Sequence, residues 1–176
     1  HYYISKGLLM PPNGEGINST YDDKHLERLK KIKELQKEDM PLNKIKILAT
    51  DLDKQVIATA KVGLYNEKSI ANVPADLKKK FFTKVGNSYQ ISEDVKRCVE
   101  FKEHNLLRDS YPTNYDMIVC RNVLIYFTDE AKTEVYGKFC KALRPGGILF
   151  IGSTEQVIEY KELGYKRRYS FYYQKE

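Results

Sequence analysis

An α/β fold with a mostly parallel sheet is predicted by three observations. Met117-Ile-Val-Cys120 is a short, unalternating apolar run inside a strand that opens at Tyr115, as expected of a strand covered on both faces. It ends in a polar, aromatic-flanked turn, Arg121-Asn-Val-Leu-Ile-Tyr-Phe127, and in open α/β sheets ligands sit beyond the carboxyl ends of such strands. Leu143-Arg-Pro-Gly-Gly-Ile-Leu-Phe-Ile-Gly152 then reads as a helix stop feeding a second apolar strand.

The remaining elements follow in chain order. Tyr2 to Met10 has the pattern of a first strand, and Pro11-Pro-Asn-Gly-Glu-Gly16 is a loop. Asp22 and Asp23 open a helix to about Lys37, with Leu26, Leu29, Ile32 and Leu35 on one face. Lys44 to Thr50 is a strand that delivers Asp51 and Asp53 to its carboxyl end, and Gln55 to Val62 is a short helix stopped by Gly63. From Leu64 to Val99 the βα rhythm breaks. Pro74, Lys78-Lys-Lys80, Phe81-Phe82, a Gly86-Asn-Ser turn and Tyr89-Gln-Ile91 suggest a small hairpin-bearing insertion. Val99 to His104 alternates like a strand and ends at Asn105-Leu-Leu107; a helix runs from about Asp129 to Leu143, and a strand surrounds Ile148. Gln156 to Tyr160 and Tyr165 to Gln174 read as a final antiparallel pair.

The totals bound the class. A chain of 176 residues is one domain's length, enough to bury roughly 70 % of the unfolded surface. With 41 % apolar and 31 % charged residues it lies outside the disordered range. No apolar run approaches the ~18 residues of a membrane span, and no signal-peptide pattern opens the sequence, so a cytoplasmic location is expected. Cys98, Cys120 and Cys140 form no Cys-x-x-Cys pair and are odd in number, which favours reduced thiols over a disulfide or a metal site. The net charge of +6 favours acidic partners.

Three turns carry the chemistry. A carboxylate after an early strand of a nucleotide-binding sheet accepts hydrogen bonds from ribose hydroxyls. Asp51 stands there, while Asp53 is better placed to cap the next helix. Asn105-Leu106 and Arg121-Asn122 follow two further strands, and an asparagine amide offers both donor and acceptor to an adenine edge or an ammonium group. Each asparagine could equally satisfy the backbone of its own turn.

At these residues the chain resembles the chemotaxis-receptor protein-glutamate O-methyltransferases, the CheR-like family. The matching strings are Leu48-Ala-Thr-Asp-Leu-Asp53, Ala60-Lys-Val-Gly-Leu-Tyr65, Phe101-Lys-Glu-His-Asn-Leu-Leu107, Tyr115 through Phe127, Leu143-Arg-Pro-Gly-Gly147 and Phe150-Ile-Gly-Ser-Thr-Glu155, all in family order. The resemblance implies a class I methyltransferase, Rossmann-like sheet with a C-terminal antiparallel pair and a β-subdomain inserted at 64–99 that docks the receptor. It implies S-adenosylmethionine as cofactor, leaving as S-adenosylhomocysteine, and glutamate carboxylates on receptor cytoplasmic helices as substrate. By it Asp51 binds ribose, Asn105 and Leu106 flank adenine, Arg121 and Asn122 hold the cofactor, and Tyr126 lines the methyl-transfer site. The family's glycine-rich acidic first loop is matched only by Gly14 and Glu15, in Met10-Pro-Pro-Asn-Gly-Glu-Gly16, and its helical N-terminal domain has no counterpart in the sequence. Two other readings stand beside this one: a CheR-like module that binds receptor or cofactor without methylating, and a nucleic-acid methyltransferase, supported by the basic stretch Lys24 to Lys46 alone.

Overall fold

The computed structural model describes residues 42–176. The strand expected at Tyr2 to Met10, the loop bearing Glu15 and the helix from Asp22 to about Lys37 lie outside these residues. The described residues divide into two compact units, one taking 42–49 with Thr59–Phe101, the other Thr50–Ala58 with Lys102–Glu176.

A 3-10 turn, Leu42–Lys44, leads into β1 (Ile47–Asp51), which pairs with β5 (Val99–Glu103). Ile47 donates to the carbonyl of Cys98 at the start and His104 donates to that of Asp51 at the end, so the two strands run the same way. The first strand therefore begins three residues later than Lys44 and includes Asp51. Lys44 belongs to the preceding turn, where Ile45 donates to Leu42. Helix α1 (Lys54–Val62) follows, capped at its start by Asp53, whose Oδ1 accepts the Gln55 amide at 2.7 Å.

In the first unit β2 (Leu64–Asn66), β3 (Phe82–Val85) and β4 (Ser88–Ile91) form an antiparallel sheet in the order β2-β4-β3. Helix α2 (Ala75–Phe81) carries Asp76 in its first turn and Lys78, Lys79 and Lys80 in its last, each sign set against the helix dipole. The short α3 (Glu93–Lys96) precedes β5. Tyr65 and Phe82 meet edge-on across this sheet, with ring centres 6.0 Å apart.

The second unit holds the larger core. β6 (Tyr115–Cys120) pairs in parallel with β7 (Leu143–Ile151), and β9 (Tyr172–Lys175) runs antiparallel between β7 and β8 (Tyr165–Tyr169). The helix between β6 and β7, α4 (Asp129–Ala142), is capped by Thr128 Oγ1 on the Ala131 amide. It presents Val135, Tyr136, Phe139 and Cys140 to a core completed by Leu124, Leu143, Leu149, Ile151, Val157, Tyr165 and Tyr173. Two buried tyrosines satisfy their hydroxyls there: Tyr165 donates to the Tyr136 carbonyl at 2.9 Å, and Tyr173 accepts the Val157 amide.

Three expectations are corrected. Leu143-Arg-Pro-Gly-Gly147 is a bulged opening of β7 as well as a helix stop: Tyr115 pairs with Leu143 and Met117 already with Ile148. Gly147 is needed there because a Cβ would stand 2.9 Å from the carbonyls of both Arg144 and Tyr115. Gln156 to Tyr160 is no strand; the antiparallel pair is the hairpin β8–β9, turning at Ser170-Phe171. Val157 is buried in the core instead of alternating along an edge, and the aromatic alternation of Tyr165 to Gln174 hid the turn in its middle. Finally, among the described residues β6 is not covered on both faces, with Met117 47 % and Val119 60 % exposed. Among the described residues β6 pairs with β7 alone.

Candidate functional site

All the site residues expected within the described part of the chain fall in the second unit. Asp51 ends β1, Asn105 and Leu106 follow β5, and Arg121 and Asn122 follow β6, the kind of strand end at which α/β sheets bind ligands; among the described residues β1–β5 and β6–β7–β9–β8 are separate sheets.

Asp51 is exposed at the end of β1. Its Oδ1 accepts the Asp53 amide at 2.9 Å, which orients the carboxylate with Oδ2 still able to accept hydroxyls. Its own carbonyl takes the amide of buried His104, so β1 and β5 end side by side and Asn105 follows directly. There the turn uses part of the asparagine: Asn105 Oδ1 accepts Leu107 N at 2.9 Å and Arg108 N at 3.2 Å, and its amide donates to Asp109 Oδ2 at 2.8 Å. What it can offer outward is Nδ2. Leu106 is half-buried against the core, and its carbonyl accepts the Tyr111 hydroxyl at 2.8 Å. Tyr111 in turn meets His104 edge-on at 4.8 Å. Asp51, Asn105 and Leu106 are therefore one constellation.

The second constellation is the turn after β6. Asn122 takes a left-handed backbone, φ 57°, a region few residues other than glycine enter except asparagine and aspartate. Arg121 lays its guanidinium over Phe150, 5.4 Å from the ring centre, and Phe150 stacks on Tyr172 at 4.5 Å. Leu124 is buried, whereas Tyr126, two residues on in the 3-10 turn Leu124–Tyr126, is 84 % exposed. Tyr126 is thus open to an incoming side chain and stands in no enclosed slot.

Sequence reasoning passed over one residue at this turn. Glu155 is 8 % exposed and accepts from three backbone amides, those of Asn122, Leu124 and Gly152. The only local signal was Gly152-Ser-Thr-Glu155 just past a strand end. Burial, followed by the nearby Glu155 carboxylate, pushes the Cys120 thiol up to about 12. That thiol is accordingly neutral and inert at physiological pH. No cluster of three or more histidine, cysteine or acidic side chains able to hold a metal occurs among the described residues, and no helix among them is long and apolar enough to cross a membrane.

The family model described as "CheR methyltransferase, SAM binding domain" matches residues 30–170. The chain is 40 % identical over 127 residues to a chemotaxis protein methyltransferase of Listeria innocua, covering 72 % of this chain and 48 % of that protein. It is 37 % identical to the chemotaxis protein methyltransferase of Borreliella burgdorferi over 69 % of this chain and 44 % of that one. The chain belongs to the CheR methyltransferase family, as its S-adenosylmethionine-binding domain. It spans about half the length of the curated relatives it matches. A second model, of MerR helix-turn-helix regulatory proteins, matches residues 1–52 only. Among solved structures, a TehB-like SAM-dependent methyltransferase from Corynebacterium glutamicum aligns with a TM-score of 0.42 at 16 % identity, over 73 % of this chain and 65 % of that one.

Proposed function

We propose that this domain methylates glutamate side chains on the cytoplasmic helices of chemotaxis receptors, in the cytoplasm, giving glutamate methyl esters. The observation that carries the reading is the CheR family match over residues 30–170, which takes in both constellations.

The donor set fits an adenosine. Asp51 presents a carboxylate oxygen to a ribose diol, and the Asn105 Nδ2 with the Leu106 backbone suits an adenine edge. Arg121 and Asn122 hold the amino-acid end; Glu15, which lies outside the described residues, is a further cofactor-binding residue on the family resemblance alone. Bound S-adenosylmethionine supplies a sulfonium methyl, which bonds to a glutamate oxygen as the carbon–sulfur bond breaks and its electron pair passes to sulfur. The substrate carboxylate is already ionised at neutral pH, so no general base is required of the chain. The work left to the protein is positioning and the exclusion of water. Exposed Tyr126 donates its hydroxyl to orient the incoming carboxylate, and the docked receptor helix covers it. The antiparallel unit within 64–99 docks the receptor. Its cleft of about 460 Å³ is lined by Lys78, Lys79, Lys84, Phe82 and Tyr89, a setting for an acidic, partly aromatic segment.

A second reading rests on Met10-Pro-Pro-Asn13, where the family has a glycine turn. Two prolines hold a chain extended and remove amide donors, which fits a domain that docks receptor but methylates weakly. Transfer of labelled methyl from S-adenosylmethionine to a receptor cytoplasmic fragment separates the two. Turnover supports the first reading; binding of S-adenosylhomocysteine without turnover supports the second.

A further inference from the structure

We infer that Glu155 is the positioning residue of the Arg121–Tyr126 turn: its buried carboxylate holds Asn122 in the left-handed conformation and thereby sets where Asn122 and Tyr126 stand. The inference rests on reading that turn as the cofactor and methyl-transfer site.

The geometry is specific. Glu155 Oε2 accepts the amides of Asn122 and Gly152, both at 2.8 Å, and Oε1 accepts that of Leu124 at 3.1 Å. Only the Gly152 bond is local. The other two reach 33 and 31 residues back along the chain, onto both sides of the left-handed residue's turn. Amides at the start of a helical turn have no partner within it, and Val123, at the cap position of Leu124–Tyr126, supplies no side-chain bond. Glu155 supplies it from another segment. Bonds from N–H groups to an ionised carboxylate are about twice as strong as neutral ones, and a left-handed non-glycine residue persists where its surroundings over-determine it.

Gly152 shows that the space was shaped for this contact. A Cβ there would lie 2.6 Å from Glu155 Oε2 and 3.0 Å from the Asn122 amide nitrogen, and would press on Asn122 Oδ1 as well. No side chain fits without displacing the carboxylate or the turn. Buried Leu124 anchors the turn from the core side, Tyr126 is exposed, and Asn122, exposed as a residue, lays its Oδ1 over Gly152. The turn is thus pinned along its backbone and open along its functional edge.

The test uses Glu155→Gln, which keeps the size but replaces one carboxylate oxygen with an NH2 donor, so that at least one of the three amides faces a donor and the others lose a charged acceptor. Amide hydrogen exchange is followed residue by residue, together with calorimetric binding of S-adenosylhomocysteine. The expected result is exchange at Asn122 and Leu124 faster by about tenfold, with Phe139 and Leu149 unchanged, and affinity weaker by about tenfold. Unchanged exchange at Asn122 and Leu124, acceleration no greater than that of the whole domain, or unchanged affinity in a loosened turn would each overturn the inference. If the unsubstituted domain binds no S-adenosylhomocysteine, the functional reading fails and the exchange pattern alone decides the role of Glu155. Should E155Q not fold, Glu155→Asp keeps the charge but draws the carboxylate back by one methylene from the amides of Asn122 and Leu124. Acceleration confined to Asn122 and Leu124 then supports the inference, and its absence overturns it.

Discussion

Asp51 and Asp53 divide two tasks that both fall to carboxylates at the end of β1. Asp51 Oδ1 accepts the Asp53 amide at 2.9 Å, and Asp53 Oδ1 accepts the Gln55 amide at 2.7 Å. Asp53 Oδ1 caps the helix through the Gln55 and Val56 amides, whereas Asp51 Oδ1 takes one turn amide outside the helix and its Oδ2 can accept from a ligand. Asp51→Ala is expected to weaken S-adenosylhomocysteine binding by about 1–3 kcal/mol, as for an acceptor lost to paired hydroxyls. Asp53→Ala is expected to cost about 1 kcal/mol of folding stability instead. Calorimetric titration beside urea unfolding checks the pair; an Asp51→Ala protein that is folded and binds normally would remove Asp51 from the site.

Tyr126→Phe removes a donor without touching the core, since the side chain is exposed. Methyl transfer is expected to slow by about tenfold in kcat, the worth of one hydrogen bond to a carboxylate, with cofactor affinity unchanged. Steady-state kinetics on a receptor fragment makes the measurement. An equal loss in cofactor binding would show that the hydroxyl acts on the cofactor, not the substrate.

Lys78→Glu combined with Lys79→Glu reverses charge along the cleft of the antiparallel unit. Association with a receptor cytoplasmic fragment is expected to fall by about tenfold at low salt and by less as ionic strength rises. S-adenosylhomocysteine affinity should not change. Salt-independent binding equal to that of the unsubstituted domain would rule out an electrostatic docking role.

Alkaline pH should unfold this domain early. Burial raises the Cys120 thiol from 9.0 to about 12, and burial first, then neighbouring charges, raises the hydroxyls of Tyr111, Tyr136 and Tyr165 as well. Each group is kept neutral by the fold, so its folded pKa exceeds its unfolded one. The stability it contributes is whole below the unfolded value and is lost as pH climbs toward the folded value. For Cys120 that window is pH 9 to about 12. Melting temperature should therefore hold level up to about pH 9 and fall above it, less steeply in Cys120→Ala; a curve flat to pH 11 would contradict the burial of these groups.

The family, the fold class and most strand positions were legible because they rest on local pattern. β6 begins at Tyr115 and ends at Cys120 as its apolar run required, and the helix from Asp129 stops one residue short of Leu143. Asp53 as helix cap was likewise readable, since a cap acts within three residues of itself. Periodicity, caps and turn residues act over a few positions, so a single sequence contains them.

What tertiary structure alone decided lies at longer range. Glu155 looked like one more polar residue after a strand, because two of the amides it serves belong to a turn more than thirty residues earlier. The hairpin at Ser170-Phe171 was hidden since the aromatics on both sides satisfy one strand's alternation, and only the pairing of Tyr169 with Tyr172 breaks it. The stack of Arg121 on Phe150 and Tyr172 joins three strands' ends and sides that no window of sequence spans. A sequence states which groups a chain possesses and how its neighbours repeat. Which buried carboxylate meets which distant amide is settled only when β6 and β7 lie side by side and unsatisfied donors must find an acceptor away from water.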